Sequence, residues 1–267
     1  MRWEDLPAEV RDAIARRVGG VTAAERVTGG VNSDFTARLD TGSGRFFCKA
    51  TSAASRTAWM LRNELAVHPH LPDVAPALHW HVDTGDWLVL GFEHVDGRHP
   101  DFHAGSPDIA PLIETVQDLH ATLTPCPAKV AGFAEHWRQL SAWQRIDPDD
   151  VDPWTRQHVD RFREMEQKAL DLAEGDTLLH TDLHPLNVLV SDRPRIVDWA
   201  WARKGQPWVD RAFLHLRLVL AGHEPHDDEV PDEFVVAVYG VWLHNAQRGK
   251  PRGLADVARR WARYRVG

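Results

Sequence analysis

The stretch 180-HTDLHPLNVLV-190 sets two histidines, an aspartate, a proline and an asparagine in one turn and then runs apolar. Three readings compete for it. His180, Asp182 and His184 alternate, so on a strand they would share one face, as metal ligands should. Imidazole nitrogens and a carboxylate suit zinc, yet Pro185 breaks the strand directly after the triplet. Further ligands would have to come from a pool of 16 histidines, in which stray candidates are common. A capped polar turn leading into a buried strand is the plain structural alternative, since short patterns of this kind recur by chance. The third reading is a loop for moving a phosphoryl group. That chemistry is mostly positioning and charge neutralisation. It needs a carboxylate for the acceptor's hydroxyl proton, then a neutral oxygen ligand for magnesium, then a second carboxylate on a neighbouring strand.

Working outward favours the third reading. Asn187 follows Asp182 by five residues, and Asp198 comes after the apolar run VLV (188–190), the turn SDRP (191–194) and a second run, RIV. Two short strands joined by a turn make a hairpin, which brings Asn187 and Asp198 together at its open end. Both offer oxygen, the donor that magnesium prefers.

The rest of the chain sets the frame. Its 267 residues, 43% hydrophobic and 26% charged, suffice for one large domain or two lobes. No apolar run is long enough to span a bilayer. The opening MRWEDLPAEVRDAIARRVGG has no apolar leader core and reads as an amphipathic helix with Leu6, Val10, Ile14 and Val18 on one face. The expectation is a soluble cytoplasmic protein without a membrane partner. A net charge of −8 speaks against a nucleic-acid partner. Cys48 and Cys126 lack any CxxC spacing and read as inert thiols.

Residues 25–51 read as a β-meander punctuated by glycine, with Val27, Phe35, Ala37, Leu39, Phe46 and Cys48 as its apolar positions. A helix is expected over 55–68, with Trp59, Leu61, Leu65 and Ala66 among its apolar positions and Pro69 and Pro72 ending it. Strands follow around 77–82 and 87–92, joined by DTGD. Helical periodicity then marks 108–123, 135–146 and 153–174, and three more helices follow 194-PRIVDWAWA-202. The order predicts an α+β protein: a β-rich N-terminal lobe over 1–92, a hinge at 93–98 and a larger, mostly helical C-terminal lobe over 99–267.

At this point HTDLHPLNVLV followed by IVDWAWA resembles the signature of the aminoglycoside phosphotransferase and choline kinase family, the antibiotic-kinase branch of the protein-kinase-like fold. The resemblance implies a bilobal kinase-like fold, Asp182 as catalytic base, and Asn187 and Asp198 as magnesium ligands. It gives His180 an architectural role. GQPWVDRAFL (205–214) is similar to a further family element, in which Asp210 would brace the catalytic loop. Leu119-His120 looks like the family's Leu-His pair and is expected to pack near that loop.

A kinase-like site also needs a cation on the phosphates, held by a glutamate on the next helix. Lys49 ends the strand RFFCK and Glu64 lies within the following helix, in an order that fits an ion pair. TGGVNSDFTARL (28–39) resembles the family's looser phosphate loop. Gly29 and Gly30 would let the backbone approach phosphate, and Asn32 and Ser33 would offer donors. LVLGFEHVDG (88–97) sits where the interlobe linker belongs, with backbone groups of Glu93 and Val95 facing an adenine.

The expected activity is transfer of the γ-phosphoryl of ATP or GTP, with Mg2+, to a hydroxyl of a small molecule. An aminoglycoside or other antibiotic or secondary metabolite is the favoured acceptor, in part because Arg-, Ala- and Asp-rich, Lys-poor usage suggests a high-GC genome. Choline, amino-acid and sugar acceptors share the same catalytic parts and stay open, as does a non-catalytic nucleotide-binding pseudokinase. HEPHDDEVPDEF (223–234) and DPDDVDP (147–153) could furnish an acidic acceptor pocket, but a solvated loop is the simpler reading of each. The oligomeric state is silent in the sequence.

Overall fold

Alternation of apolar side chains along the N-terminal strands, and a period near 3.6 later, generate the elements of the computed structural model, which describes residues 1–27 and 33–267. In chain order they are helix α1 (Ala8–Val18), strands β1 (Val21–Arg26), β2 (Phe35–Thr41) and β3 (Gly44–Ser52), helix α2 (Ala58–Val67), and strands β4 (Leu78–Asp83) and β5 (Trp87–Glu93). Helices α3 (Ile109–Thr122), α4 (Phe133–Leu140) and α5 (Pro153–Leu172) follow, then strands β6 (Thr177–Leu179), β7 (Val188–Val190), β8 (Pro194–Ile196) and β9 (Arg203–Gly205). Helices α6 (Trp208–Leu220), α7 (Asp232–Gln247) and α8 (Gly253–Val266) complete the chain. The described residues divide into two units, Met1–His99 with Leu186–Ala202, and Pro100–Pro185 with Arg203–Gly267.

In the first unit five antiparallel strands form one sheet in the order β1-β2-β3-β5-β4. Strand alternation sorts its two faces. Phe35, Ala37, Leu39, Cys48 and Ala50 bury on one face, against Leu6, Val10, Ile14 and Val18 of the N-terminal helix region. Leu88, Leu90 and Phe92 bury on the other with Leu61 of α2. Each such large side chain withdrawn from water stabilises by about 1.5–3 kcal/mol. Lys49 pairs with Leu90 and therefore projects to the α2 face, whereas Cys48 faces α1. Gly91 is dictated by packing, because a Cβ there would lie 2.0 Å from the Trp80 ring.

Two local expectations are corrected here. Val27 lies beyond the end of β1 and is 40% exposed, because the first strand is an edge strand running from Val21 to Arg26. Trp59 is likewise 39% exposed, its ring edge-on to Trp201 at 5.2 Å, and Ala66 is exposed; the buried stripe of α2 is Met60, Leu61, Glu64 and Val67.

The second unit is helical, built on a core that includes Trp143, Phe162, Phe234, Tyr239 and Trp261. The helix expected over 135–146 runs instead from Phe133 to Leu140. Its continuation is diverted by a buried carboxylate: Glu166 of α5 accepts from the backbone N–H of Ala142 at 2.8 Å and of Trp143 at 3.2 Å. The Trp143 indole then lies against Gly240 and donates to the Val236 carbonyl at 2.9 Å. Among the described residues no helix is long and apolar enough to cross a membrane.

Candidate active site

The β3–α2 pairing concentrates charge in the first unit. Lys49 Nζ donates to Glu64 Oε1 and Oε2 at 3.0 and 2.9 Å, and to Asp198 Oδ1 at 2.7 Å. The backbone N–H of Trp199 donates to Glu64 Oε1 at 3.1 Å, so the glutamate binds the lysine and the turn after Asp198 together. Burial alone would lower the Lys49 pKa; the charges of Asp198 and Glu64 outweigh it and push the group upward, so it stays an ammonium. Burial pushes Glu64 toward the neutral form, and Lys49 opposes this. Since both Glu64 oxygens accept from one ammonium, the glutamate is held as the carboxylate.

Asp198 reaches this cluster through the β7–β8 hairpin, in which Val188 pairs with Ile196 and Val190 with Pro194. The hairpin's open end closes with Val197 N–H donating to the Asn187 carbonyl at 2.9 Å, which sets Asn187 beside the residue preceding Asp198. Asp198 adopts a left-handed backbone, φ 65°. That conformation is uncommon for a residue with a side chain, and such strain gathers at functional sites. Asn63, whose neighbour Glu64 was legible, carried no sequence signal; its amide donates to the carbonyls of Ala200 and Ala202, both at 3.1 Å.

In the second unit the loop of His180, Thr181 and Asp182 hangs on a single carboxylate. Asp210 of α6 accepts from His180 N at 2.8 Å, from Thr181 N at 2.6 Å and from His120 Nε2 at 3.0 Å. Asp210 is fully buried, which would raise its pKa, but His120 and His180 reverse this and hold it below the usual carboxylate range. Those bonds support Thr181 in a left-handed conformation, φ 62°, a genuine outlier for a β-branched residue. His180, itself buried, accepts the Asp182 N–H on Nδ1 at 3.2 Å. The Asp182 carboxylate meets His184 Nε2 at 3.5 Å and keeps 34% of its side chain exposed.

The remaining candidates fare differently. Gly29, Gly30 and Asn32 lie outside the described residues. The Ser33 hydroxyl is bonded to Thr36 at 2.7 Å. Glu93 N–H donates to the Ala77 carbonyl at 2.8 Å, and its carboxylate accepts from Arg195 Nη2 at 2.6 Å, which lowers its pKa. Val95 follows β5 and is half-buried. The linker docks on the hairpin through Arg98 and Val190, whose N–H groups donate to each other's carbonyls at 3.1 and 2.7 Å. A Cβ on Gly97 would press to 3.0 Å from the Val190 oxygen.

Several carboxylates of the acidic stretches are taken up by other elements of the fold. Asp227 and Glu229 receive Arg211 at 2.6 and 2.5 Å, and Asp232 receives Arg265 at 2.6 Å. Asp152 is the N-cap of α5, accepting from Trp154 N at 3.2 Å and Thr155 N at 3.3 Å.

Among the described residues no group of three or more His, Cys, Asp or Glu side chains forms a metal cage. Magnesium does not need one, being held by one or two protein oxygens together with phosphates and water. Asn187 and Asp198 carry oxygens that could serve as such donors.

The family model described as the phosphotransferase enzyme family matches residues 23–252. No curated protein sequence matches the chain. Among solved structures, a thermostable mutant of the aminoglycoside phosphotransferase APH(4)-Ia, in ternary complex with ADP and hygromycin B, superposes with a TM-score of 0.64 at 12% identity, covering 97% of this chain and 100% of that one. The choline kinase LicA from Streptococcus pneumoniae gives a TM-score of 0.61 at 14% identity, covering 96% of each chain. A microcompartment-associated aminopropanol kinase gives 0.53 at 15% identity, covering 90% of this chain and 89% of its own. At such identities the structural likeness speaks for the kinase-like fold alone, and the family model speaks for descent. With a match across most of its length, the chain belongs to the phosphotransferase enzyme family.

Proposed function

We propose that the chain transfers the γ-phosphoryl group of ATP, or of GTP, to a hydroxyl of a small molecule. The observation that carries this reading is the Lys49–Glu64–Asp198 cluster, with Asn187 fastened beside it. A buried ammonium held by two carboxylates is a ready partner for the α and β phosphates. Asn187 and Asp198 would hold magnesium, which supplies charge neutralisation on the phosphates when bound. Asp182 would accept the hydroxyl proton and orient the attacking oxygen. His180 and Asp210 hold the backbone leading into it. The nucleotide complexes of the APH(4)-Ia structure support ATP as co-substrate. The reading assigns the protein to the cytoplasm, where ATP and magnesium are supplied.

Antibiotic and metabolic acceptors differ in what they ask of the helical unit. A polycationic drug calls for unpaired carboxylates. Asp227, Glu229 and Asp232 are each taken up by arginine, so these three do not serve a polycationic drug.

The test is ADP release, coupled to mass gain of the acceptor, over a panel of hydroxylated metabolites and aminoglycosides. Wild-type protein is expected to phosphorylate at least one member, and Asp182→Ala to lose that turnover while keeping stabilisation by ATP with magnesium. An Asp182→Ala protein that phosphorylated at the wild-type rate would remove the proposed base. Nucleotide binding without turnover on any acceptor would favour a pseudokinase.

A further inference from the structure

Helix α6 carries two arginines beyond Asp210, in contrasting situations. Arg211 is paired with Asp227 and Glu229. Arg217 follows Asp210 by seven residues, two turns of helix, so both project from one face. That is the face whose Asp210 holds the His180 and Thr181 backbone immediately before Asp182. The Arg217 guanidinium carbon lies 5.6 Å from the Trp242 ring centroid, so α7 supports it from beneath. Among the described residues it forms no ion pair and donates no hydrogen bond. Burial draws its pKa below the ordinary arginine value, and the charge of Asp182 opposes that.

A half-buried cation without a partner is costly to keep. An aromatic face offsets only part of the cost. A guanidinium also presents a planar fork matched to carboxylate and phosphate oxygens. We infer that Arg217, seated on Trp242, is a specificity residue that binds an anionic group, carboxylate or phosphate, carried by the acceptor near the hydroxyl to be phosphorylated. The inference rests on the phosphotransfer reading in that Asp182 marks where that hydroxyl sits. It gives Arg217 a second effect, repulsion of polycationic acceptors.

The experiment compares wild type, Arg217→Gln and Arg217→Lys, each checked for an unchanged melting temperature. Three-carbon acceptors of graded charge (glycerol, glycerate and glycerol 3-phosphate) are assayed with magnesium-ATP beside choline and hygromycin B. Anionic acceptors are expected to lead, and Arg217→Gln to raise their KM about tenfold or more, the worth of a charged hydrogen bond. Its kcat and the constants for neutral acceptors should stay nearly unchanged. Arg217→Lys should recover part of the loss, which a purely packing role would not require. Separately, phenylglyoxal modification of Arg217 in the wild-type protein is followed by peptide mass, with malonate, inorganic phosphate or choline present. Protection by malonate points to a carboxylate, protection by phosphate to a phosphate. Protection by neither anion, an Arg217→Gln protein with unaltered KM for anionic acceptors, or turnover of cationic acceptors alone overturns the inference. No turnover at all, with anion protection intact, would instead count against the phosphotransfer reading and leave the anion site standing.

Discussion

Lys49 gives both oxygens of Glu64 a hydrogen bond, at 3.0 and 2.9 Å, where the lysine is 8% and the glutamate 2% exposed. Removing one partner of such a buried pair leaves an uncompensated charge, which costs about 3–5 kcal/mol. Here Asp198 remains on Lys49, so the low end applies.

Glu64→Gln is therefore expected to destabilise by about 3 kcal/mol and to slow turnover by roughly one to two orders of magnitude, at 1.4 kcal/mol of barrier per tenfold. Denaturant melts and the ADP-release assay read the two effects. A variant with wild-type melting and wild-type kcat/KM would show that the pair neither supports the fold nor positions Lys49.

Asp210 carries a pH signature. Its folded pKa is depressed below the ordinary value of 3.8, so its contribution to stability is fully present above that value. The contribution is lost as pH falls through the lower folded pKa. Melting temperature measured from pH 3 to pH 6 should drop more steeply toward acid in wild type than in Asp210→Asn. That variant should be less stable at neutral pH by about 1–3 kcal/mol, having lost a charged acceptor of three hydrogen bonds. Parallel acid limbs in the two proteins would contradict this account.

His215 works over a higher window. Burial lowers its pKa from 6.5 to about 4, with Asp227 opposing, and the ring packs on Trp261 at 4.8 Å. The unfolded chain takes up the proton first, so the contribution is full above about pH 6.5 and disappears as pH falls toward 4. The lowering corresponds to about 3 kcal/mol. Urea midpoints at pH 7 and pH 5 should differ more in wild type than in His215→Phe, and NMR titration should find the His215 ring neutral at pH 5.5.

Glu166 offers a test away from the chemistry. Glu166→Ala leaves the Ala142 and Trp143 N–H groups without their acceptor in a buried setting. A loss of about 2–4 kcal/mol is expected, from unsatisfied donors and lost packing. Substrate KM should not change once the variant is folded; a KM shift at full stability would show that this region also shapes the acceptor site.

Much of the fold was legible because it depends on short-range order. Strand alternation placed Phe35, Ala37 and Leu39 on one face, and the apolar period of α1 named Leu6, Val10, Ile14 and Val18 as its buried stripe. Lys49, Glu64 and Asp198 stood out because their order along the chain agreed with the family resemblance carried by the catalytic-loop motif. Residues whose partners are backbone groups could not be found in this way. Asn63, Asp34 and Glu166 act on backbone groups that any residue could present, so nothing in their own identity signals the partner. The same reason ended α4 at Leu140, although 141–146 keeps a helical rhythm. For the acidic run 223–234 the sequence left a solvated loop as the simpler reading, and it gave no sign that Arg211 and Arg265, contributed by helices before and after it, would take up Asp227, Glu229 and Asp232.

By itself the sequence determined the periodicities, the two textures of the chain, and the spacing of Asp182, Asn187 and Asp198, because these are local relations of residue type and distance along the chain. Only the tertiary structure decided which charges were already satisfied and which were not. Arg211 and Arg217 sit on one helix and read alike in sequence, yet one is paired twice and the other rests on an indole with, among the described residues, no carboxylate close enough to bind. Charge pairing is set by distances of a few ångströms between side chains far apart in the chain, and those distances exist only once the chain has folded.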